Sequence, residues 1–482
     1  MSEESFDAEF LASQIESERP LSLMERRRFL QAAAAVGAGA AISPMLLQRA
    51  AGAQSSNTDT ILVTVTLEGG NDGFNTLGPF GSGRYRDLRG PLSINEGSAH
   101  SAADGLSWHP RLPRLATRFR RGDVAVVQGV GEPKLDQSHF SNLARWQSGS
   151  QNGAITDTGW LGRWLDRSGG GQFDGLAIGG QGVPHHMRGT NADVTDLPNG
   201  GGNELYGADR SDERDRTMYS AINQMGRSNS GSPWVQRVGE VASQAVASAR
   251  DVSSAFRTEL PDTSRIHTDM VLAARVINLN LGTRVLNVSM SGFDTHDNQI
   301  GSNSGAGEHA DLLGDLDVAL DGFFNSLSAP MAERVVVMIY SEFGRRAESN
   351  GSRGTDHGTA NHVFLAGRRV RGGLYGDAPP LGALDDRGNF RVMLDFRRVY
   401  ATVVQDVLGT EASAVLGRNY NTVPNLVSST TVTAPAANNT DVTSPNTNTN
   451  GGGGTLADRA AQIRSRRQDN PRDYFAKRAP SF

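Results

Sequence analysis

The sequence predicts an α/β fold: a three-layer sandwich with a mostly parallel central sheet and helices on both faces. Two observations lead there. Four continuous, β-branched apolar runs, at 61–67, 124–130, 285–290 and 335–340, have the unbroken hydrophobicity of strands covered on both faces, as in a parallel sheet. Amphipathic helical patterns alternate with them, at 111–120, 138–147, 235–256, 270–281, 308–327 and 396–408. Strand–helix alternation of this kind builds parallel units with helices packed on the sheet.

In chain order, the first element is a leader. Arg26-Arg27-Arg28-Phe29-Leu30-Gln31 precedes a soft apolar run from Ala32 to Leu47 that contains Pro44. The run is shorter than the ~20 apolar residues needed to span a bilayer. Ala51-Gly52-Ala53 fits a small-residue cleavage site, so the mature chain is expected to begin at Gln54. The pattern reads as a twin-arginine export signal over residues 1–53. It implies the twin-arginine translocation machinery as a partner and a periplasmic or secreted protein. The acidic stretch before Arg26 is long for such a signal.

About 430 residues then remain, enough for a sizeable core. Residues 54–427 are expected to form the folded domain, with 174–261, the least sheet-like stretch, as an insertion or cap. From Ser428 the composition shifts to Ser, Thr, Asn, Pro and Gly, which cannot bury a core, so 428–455 is expected to be a disordered linker. The tail, 456–482, carries seven basic residues against three acidic ones. A formal net charge of −5 on 482 residues gives no argument for nucleic acid. No segment after the leader is apolar enough to span a membrane. The chain has no cysteine, which excludes disulfides, thiolate metal sites, a cysteine nucleophile and a formylglycine made from cysteine.

Four polar clusters follow the four best strands, at the sheet edge where open α/β folds bind ligands. The first is Glu68-Gly69-Gly70-Asn71-Asp72-Gly73, where Asp72 is a candidate hard-cation ligand or simply part of a common turn. In the second, Asp136-Gln137-Ser138-His139, Ser138 falls where a helix begins. A serine there caps free amides. The same place exposes a hydroxyl beside amides able to hold an oxyanion or phosphate. The third holds Asp294 and His296, two residues apart and on one face if the strand continues, a carboxylate–imidazole pair suited to a divalent transition metal. The fourth runs from Ser341-Glu342-Phe343-Gly344-Arg345 to Thr355-Asp356-His357. Glu342, at the end of a buried strand, needs a partner, either Arg345 or a cation. Asp356 and His357 make a second ligand pair. These residues suffice for two metals.

Together with the leader, these pieces resemble the bacterial domain-of-unknown-function 1501 family. Further matching motifs are Trp108-His109-Pro110, Ser138-His139-Phe140, Gly159-Trp160-Leu161-Gly162-Arg163, Arg371-Gly372-Gly373 and the stretch 395–400; the resemblance spans about 60–426. That family looks like a distant branch of the alkaline phosphatase and sulfatase superfamily, which implies a metal site at the strand ends. By motif, Asp72 matches the acidic ligand after the first strand. Ser138 matches the nucleophile position. Asp294, His296 and His357 match the ligands of one metal. Glu342-Phe343 stands where the superfamily has Asp-His, so a second metal would lack one histidine, for which Asp356 could compensate. The resemblance also implies a second exported protein, of a co-occurring family, as a partner.

The leading expectation is therefore an exported, metal-dependent hydrolase of phosphate or sulfate esters with Ser138 as nucleophile and one or two divalent ions. Zinc or manganese suits imidazole–carboxylate ligands, and calcium or magnesium an all-carboxylate position. The alternatives are a hydrolase using metal-bound water, and an inactive metal-stabilised envelope scaffold.

Overall fold

The computed structural model describes residues 60–428, apart from 133–135, 151, 152, 169, 170, 172, 302, 304 and most of 200–250. The arginine leader, its cleavage site, the linker beyond Ser428, the basic tail and most of the helix expected at 235–256 lie outside the described residues.

Nine strands form the main sheet: β1 (Ile61–Glu68), β2 (Val124–Gly131), β3 (Gly175–Ile178), β4 (Val194–Leu197), β5 (Val285–Ser291), β6 (Val335–Tyr340), β7 (Asn361–Ala366), β8 (Gly373–Tyr375) and β9 (Leu394–Asp395). Their order is β8-β2-β7-β6-β1-β5-β3-β4, with β9 also paired to β2. All neighbours are parallel except β7, which runs against both β2 and β6. The register places Leu62 of β1 opposite Val285 of β5 and Val336 of β6.

The helices are α1 (Gly73–Thr76), α2 (Gly83–Arg89), α3 (Pro113–Arg120), α4 (His139–Ser148), α5 (Trp160–Ser168), α6 (Arg265–Asn278), α7 (Glu308–Ser326), α8 (Phe396–Thr402) and α9 (Ala412–Leu416). Alternate strand residues point to opposite faces, and the two cores follow that alternation. Ile61, Val63, Val65 and Leu67 join the core under α3, α6 and α7. Leu62, Val336 and Met338 join the core under α4, α5, α8 and α9. This is the three-layer α/β sandwich that the apolar runs predict. No helix among the described residues is long and apolar enough to cross a membrane.

Two details differ from the sequence expectation. The start of 174–261 is not a cap: it supplies β3 and β4, which extend the sheet beyond β5. Each has only four residues, and β4 is half-buried, so neither shows a long apolar run. The strand before Asp294 stops at Ser291, so Asp294 and His296 stand on a loop rather than on one face of a strand. Because β7 runs backwards, its start at Asn361, opposite Val130, lies at the edge where β2 and β6 end. The four loops that follow β1, β2, β5 and β6, the last of which leads into β7, therefore meet at one edge.

Candidate metal centre

Close backbone approach brings these loops together. Gly69 follows β1 with φ +114, and a Cβ there would lie 2.5 Å from the Asp294 amide nitrogen. Only glycine accepts both that dihedral and that contact. The buried Arg345 then fastens three loops with one guanidinium. Its Nε donates to Gly70 O (2.6 Å), its Nη1 to Thr355 O (2.8 Å), and its Nη2 to Gly69 O, to Phe293 O (3.0 Å) and to Asp294 Oδ1 (2.8 Å).

Four donor atoms converge above this knot. Asp294 Oδ1 lies 3.3 Å from His139 Nε2, 3.1 Å from His296 Nε2 and 3.3 Å from His357 Nε2. His357 Nε2 lies 2.9 Å from His139 Nε2 and 2.8 Å from His296 Nε2. The opposite nitrogen of each ring is spoken for. His139 Nδ1 is 2.7 Å from Glu342 Oε1, His296 Nδ1 is 3.2 Å from Asp356 Oδ1, and His357 Nδ1 is 2.7 Å from Gln137 O. Carboxylate and carbonyl oxygens only accept, so each Nδ1 carries the proton and donates it. In the neutral rings that leaves three Nε2 lone pairs facing one another and a carboxylate. Lone pairs repel unless a cation or proton sits among them. An Nδ1–H held by an oxygen with Nε2 turned inward is also how metal-binding imidazoles are oriented. His139, Asp294 and His357 each offer one ligand atom, all within 4.8 Å of one another. The residues thus fit a divalent cation, with three nitrogens and one oxygen as donors.

The electrostatics agree. Partial burial would raise the Asp294 carboxyl, yet the three histidines, when they carry positive charge, and Arg345 hold it far below the usual carboxylate range. Burial opposes charge on His139, but Asp294 and Glu342 push it up to about 9, so without a cation a proton takes that place among the four atoms. Burial also opposes charge on Asp356, which bonds from Asn350 and His296 nevertheless lower. Side-chain exposures of 22–49% for His357, His139, His296 and Asp294 leave the cluster open to solvent, above a buried Glu342.

The expected site residues divide into three groups. Asp294, His296 and His357 come together. Glu342 and Asp356 stand behind them, each holding the Nδ1–H of a histidine. Glu342 also accepts from Gly69 N (2.9 Å) and from the Ser341 hydroxyl (3.0 Å). Arg345 pairs with Asp294 and not with Glu342, because its side chain runs under the loop after β5. Asp72 stands outside the cluster. Both of its oxygens take Arg89 nitrogens at 2.8 Å, and Oδ2 also accepts from Gln299 Nε2 at 2.7 Å, so the cation beside this carboxylate is a guanidinium. Phe343 lies beside the cluster as an apolar wall, its ring centroid 4.8 Å from His139 and 4.9 Å from His357.

Ser138 is exposed at the N-cap of α4, and its side chain makes no capping bond. Asp136 ties the preceding turn to the first helical residues, accepting from Ser138 N (3.0 Å), Ser141 Oγ (2.6 Å) and Asn142 Nδ2 (2.9 Å). Sequence reasoning treated His139 only as the neighbour of Ser138 and passed over Gln137. His139 is the first residue of α4, so it starts from the same sheet edge as the serine. Gln137 adopts φ +61 and clamps His357 twice, accepting from its Nδ1 and donating from Nε2 to its carbonyl at 2.9 Å.

Among solved structures the chain is similar to a protein in the alkaline phosphatase superfamily from Vibrio parahaemolyticus, with 10% identity, 81% of this chain and 75% of that one covered, and a TM-score of 0.33. It is also similar to the PsFucS1 sulfatase from Pseudoalteromonas sp., with 11% identity, coverage of 81% and 77%, and a TM-score of 0.34. No curated protein matches the sequence. The family profile described as "Protein of unknown function (DUF1501)" matches residues 59–393. That match takes in β1 through β8 and every residue of the cluster, and the chain belongs to the DUF1501 family.

Proposed function

We propose that this chain is an exported, metal-dependent hydrolase of phosphate or sulfate esters. The observation that carries the reading is the convergence of three Nε2 atoms, their Nδ1 protons all engaged elsewhere, on Asp294 Oδ1 at an open sheet edge. A nitrogen-rich donor set favours zinc or manganese. A divalent cation bound there would act as a Lewis acid on a negatively charged ester oxygen. Structural metal sites are closed, whereas these ligands keep up to half of their side-chain surface exposed, which supports access for a substrate. The leader around Arg26-Arg27 supports export by the twin-arginine route.

Within this reading Ser138 is the candidate nucleophile. Its hydroxyl makes no capping bond. It stands at the start of a ten-residue helix, whose free amides favour an anionic group, and next to His139. Its Oγ would bond to phosphorus or sulfur as the ester oxygen leaves with a proton as the alcohol. Water would then release inorganic phosphate or sulfate and regenerate the serine. Direct attack by water is the second reading. It is favoured by the lack, among the described residues, of a hydrogen bond from the Ser138 hydroxyl to any base.

The test measures metal content together with hydrolysis of aryl phosphate mono- and diesters and aryl sulfates. Ser138→Ala is expected to keep its metal and lose several powers of ten in rate. Retained hydrolysis in that variant would assign the attack to water. Metal bound without any hydrolysis by the wild type would make the protein an envelope binding or scaffold protein.

A further inference from the structure

We propose that Gln299 is a positioning residue: anchored by Asp72 and Arg89, it sets the two ligand-bearing loops and so the affinity of the cluster for a divalent cation. The proposal rests on the metal reading above. Gln299 is fully buried, and both ends of its amide are hydrogen-bonded. Its Nε2 donates to Asp72 Oδ2 at 2.7 Å. Its Oε1 accepts from Thr295 Oγ1 at 3.2 Å and from Thr355 Oγ1 at 2.7 Å. A carboxylate can only accept, and both threonine hydroxyls are free to donate. A flipped amide would set its oxygen against the acceptor-only Asp72 carboxylate, so Asp72 fixes the orientation in which Oε1 receives both threonines.

The two threonines are placed where they matter. Thr295 separates the donors Asp294 and His296. Thr355 directly precedes Asp356, which orients His296, and His357. Thr355 N also donates to Thr295 O at 3.2 Å, so the two loops are already laced together and Gln299 fixes the height of the lace. Its own anchor is rigid. Asp72 and Arg89 form a two-bond ion pair, both side chains at most 1% exposed, which neutralises the charge that the amide leans on. The path from α2 thus runs Arg89, Asp72, Gln299, then both loops. It reaches Asp294, His296 and His357 but not His139, which comes from α4. Groups behind metal ligands typically change affinity by about 10–100-fold when removed.

Gln299→Leu is the direct variant, but it strands buried Asp72 and both threonines and risks misfolding. Thr355→Val keeps volume and removes one donor, and Thr355→Ser keeps the donor. The readout is the zinc dissociation constant from competition with a chromogenic chelator. The melting temperature of the chelator-treated protein serves as the fold control. The expected result is about 10-fold or more weaker zinc binding in Thr355→Val, near-wild-type binding in Thr355→Ser, and metal-free melting temperatures close to wild type in both. Wild-type zinc affinity in Thr355→Val would overturn the positioning role while leaving the metal reading intact. Equal weakening in both variants would also overturn it. A wild-type protein that binds no zinc would overturn the metal reading and this inference with it.

Discussion

Gln137 shows how much the cluster asks of single residues. Its φ of +61 is a left-handed conformation uncommon for a side chain other than glycine, asparagine or aspartate. That turn aims the Gln137 carbonyl at His357 Nδ1 and leaves Ser138 to open the helix that carries His139. Strain of this kind costs on the order of 1–3 kcal/mol and persists only where the surroundings enforce it. Gln137→Val adds a β-branched side chain in the left-handed region and removes the amide bond to His357 O. It should lower stability by about 1–3 kcal/mol in chemical denaturation and reduce metal content. Gln137→Gly keeps the carbonyl and tolerates the dihedral, so its metal content should stay closer to wild type. If the valine variant keeps full metal and full stability, the turn is not what holds His357.

At the scale of elements, the ends of α4 and of the strands decide where the chemistry sits. Asp136 accepts from Ser138 N and the Asn142 side chain at the start of α4, whereas the Ser138 hydroxyl makes no capping bond. Asp136→Ala removes these hydrogen bonds and should cost about 1 kcal/mol, while Ser138→Ala should leave unfolding nearly unchanged. A larger loss in the serine variant would return the capping role to its hydroxyl. The same ends explain what the sequence does and does not disclose. β1, β2, β5 and β6 are legible because they are buried on both faces and leave unbroken apolar runs. The meeting of Asp294, His296 and His357 is legible because each follows a strand end at one edge. β3, β4, β8 and β9 have two to four residues and leave no pattern to find. The direction of β7 is not legible, since composition does not encode antiparallel pairing inside a parallel sheet. Partner choice is equally hidden. Arg345 selects Asp294, 51 residues away, over Glu342, only three residues away, because long-range packing routes its side chain.

Across the whole molecule, burial makes the fold sensitive to acid. His186, His309 and His362 are fully buried, and desolvation lowers them from 6.5 to about 3, 4 and 4. The unfolded chain takes up protons below 6.5 and these native rings do not. Their contribution to stability is thus complete above pH 6.5 and is lost as pH falls toward 4. Buried Glu132, Asp269 and Asp317, raised by desolvation, act in the opposite sense, so one histidine must be isolated. His186→Gln should flatten the slope of unfolding free energy between pH 6.5 and 4.5 by up to ~1.4 kcal/mol per pH unit, the value of one proton. An unchanged slope would mean that His186 titrates normally in the native protein.

The backward course of β7 has a consequence for the order in which the molecule assembles. Tyr340 and Asn361 end and begin neighbouring strands of the sheet, so the segment that carries Glu342, Arg345, Asp356 and His357 closes as a short local loop. β1, in contrast, meets β5 and β6 only after the chain has closed separations of more than 200 residues. Local closures precede distant ones in folding, since their entropy cost is smaller. The His357 side of the cluster is then ready early, while Asp294 and His139 arrive only when β5 and β2 are in place. A cation needing all of them would be captured at completion. Its uptake would mark the moment the chain is fully folded.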